Sequence, residues 1–221
     1  MSDLLLPADT VLTHELEIKR SRFLALVTRA GTPDEAREVI TERRATMPDA
    51  RHHCTAFIIS VPDALAISHS SDDGEPSGTA GRPMLDVLAG TGLVDVVAVV
   101  TRYFGGTLLG SGGLVRAYSD SVRQCMEGAA VVGRERLPVW RALATHVDAG
   151  RYLASLNGAG YEAQAEYLPE GVRITVASDD GAALADLLAR LSSGAVKLEA
   201  AGWRTVERPV GKIEAGTVAA S

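Results

Sequence analysis

The sequence predicts an α+β protein of two domains, and three observations carry that expectation. Short runs rich in β-branched residues, such as Val96-Val97-Ala98-Val99-Val100, read as buried strands. Between them lie stretches of helical spacing, such as Leu114, Ala117, Tyr118, Ser121, Val122 and Cys125. After Leu137-Pro138 the pattern simplifies to strand, helix, strand, strand, helix, strand, which is the ferredoxin-like order. The boundary is therefore expected there, giving domains 1–137 and 138–221.

Each element has its local reason. Thr10 to Glu17 alternates apolar and polar residues and reads as a strand. A basic interruption, Ile18-Lys19-Arg20-Ser21-Arg22, separates it from a second strand, Phe23 to Val27. Thr32-Pro33-Asp34-Glu35 combines a cap, a proline at the first helical position and early acids, so a helix starts there and runs to about Thr46. Pro48 stops it. Strands follow at Thr55–Ile59 and Ala64–Ser68, then a long polar loop from Ser70 to Pro83 and a helix from Met84. The strand at Val96 leads into a glycine cluster and a helix capped by Ser111, and Val131-Val132 makes a last short strand. In the second domain, strands are expected at Trp140–Val147, Tyr161–Tyr167, Gly171–Ala177 and Val196–Val206. Helices are expected at Gly150–Asn157 and Gly181–Leu191, and the tail after Arg208 is expected to fray.

Composition narrows the function classes. A hydrophobic share of 46% supports a proper core, and a charged share of 23% is that of an ordinary globular protein. The net charge of −6 excludes a basic field over the whole molecule, so any nucleic-acid contact must rest on a local patch. No apolar run approaches the roughly 18 residues of a membrane span, and MSDLLLPADT lacks a signal-peptide pattern. Cys54 and Cys125 make neither a disulfide framework nor a zinc pattern. The cytoplasm is the expected location, and the sequence sets no oligomeric state.

The functional expectation centres on Val96 to Met126. Gly105, Gly106, Gly110, Gly112 and Gly113 crowd nine residues, which is costly in conformational entropy and implies a demand on the backbone. Either the glycines permit a tight strand-to-helix turn, or they let an anion approach the helix N-terminus between Arg102 and Arg116. No Gly-Lys-Ser/Thr follows, and the spacing misses the dinucleotide fingerprint. The basic set Lys19, Arg20, Arg22, Arg51, Arg82, Arg102 and Arg116 lies at element ends that can converge on one sheet edge. With Tyr103 and Phe104 alongside, that edge offers phosphate contacts and base stacking, the two requirements of single-stranded RNA binding.

The loop Asp72-Asp73-Gly74-Glu75-Pro76-Ser77-Gly78-Thr79 is expected to face the same site. Its acids either hold Mg²⁺ or cap turns and pair with Arg82 or Arg102, and the structural alternative is favoured because no further carboxylates complete a cage. His52, His53, His69, Ser71 and Cys54 contain the ingredients of a nucleophile with a base, but Cys54 opens an apolar strand and reads as a core thiol.

Three segments resemble the YigZ/IMPACT family: Lys19-Arg20-Ser21-Arg22-Phe23, Ser71 to Gly81, and Val100-Thr101-Arg102-Tyr103-Phe104-Gly105-Gly106-Thr107-Leu108-Leu109-Gly110. Arg51-His52-His53-Cys54 is similar to a further strand entry of that family. The resemblance covers about residues 12 to 130, and the second domain resembles that of the bacterial two-domain members. It implies a first domain like ribosomal protein S5 domain 2 and domain IV of elongation factor G. It implies a ferredoxin-like second domain like domain V of that factor. Those relatives work on the ribosome, so the expected role is translation-linked regulation through binding of RNA, the ribosome or a translation-associated protein. No catalytic residue, metal or cofactor is expected. The rival expectations are an enzyme acting on a phosphorylated or carboxylated small molecule at the glycine loop, and a protein-interaction module.

Overall fold

The computed structural model describes residues 3–214, and contacts divide it into two compact units. Among the described residues one comprises 3–133 together with 208–214, and the other runs from Arg134 to Glu207. In chain order the first unit contains β1 (Asp3–Leu5), β2 (Val11–Ile18), β3 (Ser21–Arg29), α1 (Pro33–Thr46), β4 (His52–Ile59) and β5 (Ile67–Ser71). It continues with α2 (Gly81–Thr91), β6 (Val96–Tyr103) and α3 (Ser111–Met126). The chain then passes through β7 (Ala130–Ala144), α4 (Ala149–Gly158), β8 (Ala163–Leu168), β9 (Gly171–Ala177), α5 (Gly181–Ser192) and β10 (Glu199–Lys212). The α+β class and the two sheets are those expected.

In the first unit the sheet runs β2-β3-β6-β4-β5 with antiparallel neighbours. β6 lies at the centre, and Val96 to Val100 are fully buried because both sheet faces are covered. Phe23, Ala25, Cys54, Ala56, Ala98 and Val100 pack with residues of α2 and α3 such as Met84, Leu88, Leu114 and Tyr118. Phe57, Ile59, Val97 and Val99 meet α1 through Ala36, Val39 and Ile40 on the other face. The Thr32 hydroxyl caps α1 by accepting from the Glu35 N–H at 3.1 Å.

The register places five element ends at one edge of this sheet. Ile18 pairs with Ser21, Arg22 with Tyr103, His52 with Arg102, and Thr55 with Ser71. The β2–β3 turn, the β6–α3 loop, the approach to β4 and the β5–α2 loop therefore leave from the same edge.

In the second unit the strands lie in the order β10-β7-β9-β8, the ferredoxin-like arrangement. Ala142, Val172, Ile174 and Val176 pack with Tyr152, Leu156, Leu184 and Leu188 of α4 and α5. Two expectations are corrected here. The two strands expected on either side of Leu137-Pro138 form one continuous β7. Pro138 has no N–H to give, yet its carbonyl accepts from the Ser178 N–H at 3.0 Å, and the Trp140 indole N–H donates to the Ser178 carbonyl at 2.9 Å. The side chain supplies the donor that proline lacks, so pairing survives the proline. The expected fray after Arg208 is likewise absent as far as Glu214. β10 continues to Lys212, and Ile213 bonds to Gly128 and Ala129 and packs on the core. The remainder of that tail, 215–221, lies outside the described residues.

β1 is absent from the sequence expectation because three residues carry no readable alternation. The strand expected at Ala64–Ser68 falls at Ile67–Ser71, and α2 begins three residues before Met84. Ser111 is the first residue of α3 rather than its cap; Gly110, at φ 72°, takes the cap position without a side-chain bond.

Candidate nucleic-acid interface

The shared sheet edge is built on a buried polar network. Glu75, from the β5–α2 loop, and Arg102, from β6, pair at 2.6 Å with side chains 4% and 7% exposed. The Tyr118 hydroxyl of α3 donates to the same Glu75 oxygen at 2.8 Å. Three elements that are distant in sequence are thus tied to one carboxylate. The Arg102 guanidinium lies 5.3 Å from the Phe23 ring centroid and 5.7 Å from that of Phe104. The two glycine-bearing loops therefore join through a packed contact, and Arg102 is committed to the protein interior rather than to the surface.

The rest of the acidic loop is structural in its geometry. The Asp72 carboxylate accepts from the N–H groups of Gly78, Ala80 and Gly81 at 2.8–2.9 Å. Burial pushes its pKa up, but those N–H groups outweigh burial and hold it below the ordinary value. Asp73, in a left-handed conformation at φ 43°, receives Arg44 and the His53 N–H, both at 2.6 Å. Gly74 reaches φ 85°, Thr79 donates to the Pro76 carbonyl at 2.6 Å, and Ser77 is exposed. Among the described residues no group of three His, Cys, Asp or Glu is arranged to hold a metal ion.

The nucleophile alternative finds little support. Cys54 is fully buried, its thiol donates to the Asp72 carbonyl, and burial pushes its pKa up to about 12. His53 is buried against Thr101, with ring and hydroxyl 3.0 Å apart, and burial lowers its pKa. Cys125 is buried on α3, and burial likewise raises its thiol to about 12.

Two adjacent cations stand on the exposed surface of the edge. Lys19 and Arg20 form the whole connection between β2 and β3, both are exposed, and both have positive φ, 49° and 64°. A two-residue hairpin turn asks for that backbone, and asparagine or glycine ordinarily supplies it. Here two cations occupy it instead. Gly105 makes room for them. A Cβ on Gly105 would lie 2.1 Å from the Arg20 carbonyl carbon and 2.3 Å from the Ser21 nitrogen. The Gly105 N–H donates to the Ser21 hydroxyl at 3.0 Å. The turn thus rests directly on the glycine loop.

Other members of the expected site are distributed differently. Arg22 is exposed but bonded to Glu15 at 2.6 Å, and Arg82 to Asp86 at 2.8 Å. Tyr103 donates to Asp49 at 2.9 Å, with Arg22 over its ring. Arg116 is exposed on α3. Gly106 and Gly110 have left-handed backbones in open space. Gly112 has neither a positive φ nor a neighbour within 4 Å, and Gly113 would meet Leu109 at 3.1 Å. Sequence reasoning missed the part of Tyr118. A buried phenol needs a hydrogen-bond partner, and its place on the apolar face of α3 was the available signal.

Comparison with known proteins places these features in a family context. Residues 19–126 match the family described as the Impact N-terminal domain. The chain is 34% identical over 203 residues to the IMPACT family member YvyE of Bacillus subtilis (strain 168), covering 91% of this chain and 93% of that protein. It is 47% identical over 126 residues to the IMPACT family member YigZ of Escherichia coli (strain K12). That match covers 57% of this chain and 61% of the relative's length, so the chain spans less than two thirds of that protein. A solved structure described as a crystal structure of a hypothetical protein is 35% identical, with a TM-score of 0.58, covering 90% of this chain and 97% of that one.

Proposed function

The chain belongs to the IMPACT family, and on that premise we propose that it is a translation-linked regulatory protein that binds RNA or a ribosome-associated partner without turnover. The resemblance of its two domains to domains that work on the ribosome supports the process. The observation that carries the binding site is the Lys19-Arg20 turn. Non-glycine residues in the left-handed region cost of order 1–2 kcal/mol each. The chain bears that strain at two adjacent positions and displays two cations there. Both cations sit beside a loop, 104–110, that contains no acid. A cationic patch on a chain of net charge −6 is a local electrostatic footprint for a polyanion. The committed state of Arg102, Glu75, Asp72 and Cys54 favours binding over chemistry.

The double variant Lys19→Asn/Arg20→Gly tests this reading, because it installs residues that the turn prefers while removing both charges. It is expected to raise unfolding stability by about 1–2 kcal/mol. It is also expected to weaken RNA binding and to reduce the slope of log K against log salt by about 1.4, two single-strand phosphate contacts at roughly 0.7 each. Chemical denaturation and titration at several salt concentrations measure both. Unchanged affinity and slope would remove the turn from the binding site, and a phosphorylated metabolite that stabilised the fold in place of RNA would favour the enzyme reading.

A further inference from the structure

We infer that Phe104 is a stacking platform for an unpaired nucleobase, so that the nucleic acid taken by this surface is single-stranded. The inference rests on the proposed RNA-binding role and narrows its ligand. Phe104 is 52% exposed immediately after β6, although an aromatic side chain of that size gains by burial. Its ring is held in place. The Arg102 guanidinium lies over it at 5.7 Å, and Arg102 is itself locked by Glu75, which Tyr118 holds in turn. An exposed ring with a fixed guanidinium on one side loses little side-chain freedom when a base stacks on what remains exposed.

Charge complementarity selects the occupant. The residue after Phe104 is Gly105, whose backbone rests on that of Arg20, so the backbone that carries the ring lies against the backbone that carries the turn cations. Lys19 and Arg20 provide phosphate contacts at the distance of a backbone neighbour, and the ring provides a sequence-tolerant partner for the base. Leu108, 81% exposed, is a second apolar side chain of the same loop. A paired base presents no free face to such a ring, since its neighbours in the helix occupy both. The surface therefore distinguishes a single strand from a duplex.

The full chain is titrated with oligouridine and, separately, with an RNA duplex of the same length. Phe104→Leu keeps apolar bulk over Arg102 and removes the aromatic face; Phe104→Trp keeps the face. The leucine variant is expected to lose roughly 5- to 100-fold in affinity for oligouridine, the tryptophan variant to retain it, and duplex binding to stay the same in all three. Equal oligouridine affinity for the leucine variant, with Lys19→Asn/Arg20→Gly still weakened, overturns the platform and leaves the binding role standing. Equal affinity in every variant overturns both. Loss of ribosome binding by Phe104→Leu with unchanged binding of naked RNA assigns the ring to a protein contact and also overturns the inference.

Discussion

Glu75→Ala is expected to lower the unfolding free energy by about 3–5 kcal/mol, the cost of leaving a buried charge without its partner. Arg102 cannot turn to solvent to recover the loss. It lies on the central strand with its side chain 7% exposed and Phe23 beneath it. Its Nε already lacks a hydrogen-bond partner, so Glu75 is the main compensation for its charge. Arg102→Ala should cost a similar amount. The double variant should cost clearly less than the sum, because neither charge is then stranded. Tyr118→Phe removes one hydrogen bond to a charged acceptor and should cost about 1.5–3 kcal/mol. Denaturant midpoints with unchanged slopes measure all four. A Glu75→Ala midpoint equal to that of the parent would show that the two loops are not joined through this carboxylate.

Gly105→Ala is expected to be the most damaging of the glycine-loop substitutions. The added Cβ meets backbone atoms of Arg20 at 2.1 Å and 2.3 Å, and backbone cannot swing aside as a side chain can. The cost should reach the upper part of the 1–3 kcal/mol typical of overpacking, about 3 kcal/mol, or appear as a displaced β2–β3 turn. Displacement of that turn would weaken RNA binding as well. Gly112→Ala is the counterpart within the same cluster. Its backbone is helical and its surroundings are open, so alanine should stabilise α3 by up to about 1 kcal/mol. Thermal or chemical unfolding of the pair separates the two roles. Equal effects would mean that the contact between Gly105 and the turn does not constrain the fold.

The local signals were legible in the sequence because they depend on near neighbours. Thr32-Pro33 announced α1, the alternation of Val172, Ile174 and Val176 announced β9, and Leu114 to Cys125 announced the buried face of α3. The acids of the 72–75 loop were legible as turn caps or arginine partners, with Arg82 and Arg102 both available to them. The choice of Arg102 for Glu75 depends on the register of β6 against β4 and β3, which no local pattern carries. The Lys19-Arg20 turn was hidden for a related reason. Hairpin turns are read from asparagine and glycine, and two cations in that backbone look like an interruption between strands. The sequence leaves Gly105 open between a tight strand-to-helix turn and the approach of an anion; in the fold its missing side chain admits the backbone of Arg20. The sequence divides β7 at Pro138 because the donor that replaces the proline N–H, the Trp140 indole, acts through tertiary placement.

The proposed RNA-binding surface joins the Lys19-Arg20 turn to the Phe104–Leu108 segment. Ultraviolet crosslinking of the full chain to ribosomes and to oligouridine, followed by peptide mapping, tests it most directly. Crosslinked peptides that contain residues 19–22 and 103–109 are expected, and both should be lost together in Lys19→Asn/Arg20→Gly. Crosslinks confined to residues 134–207, or none at saturating RNA, would contradict it.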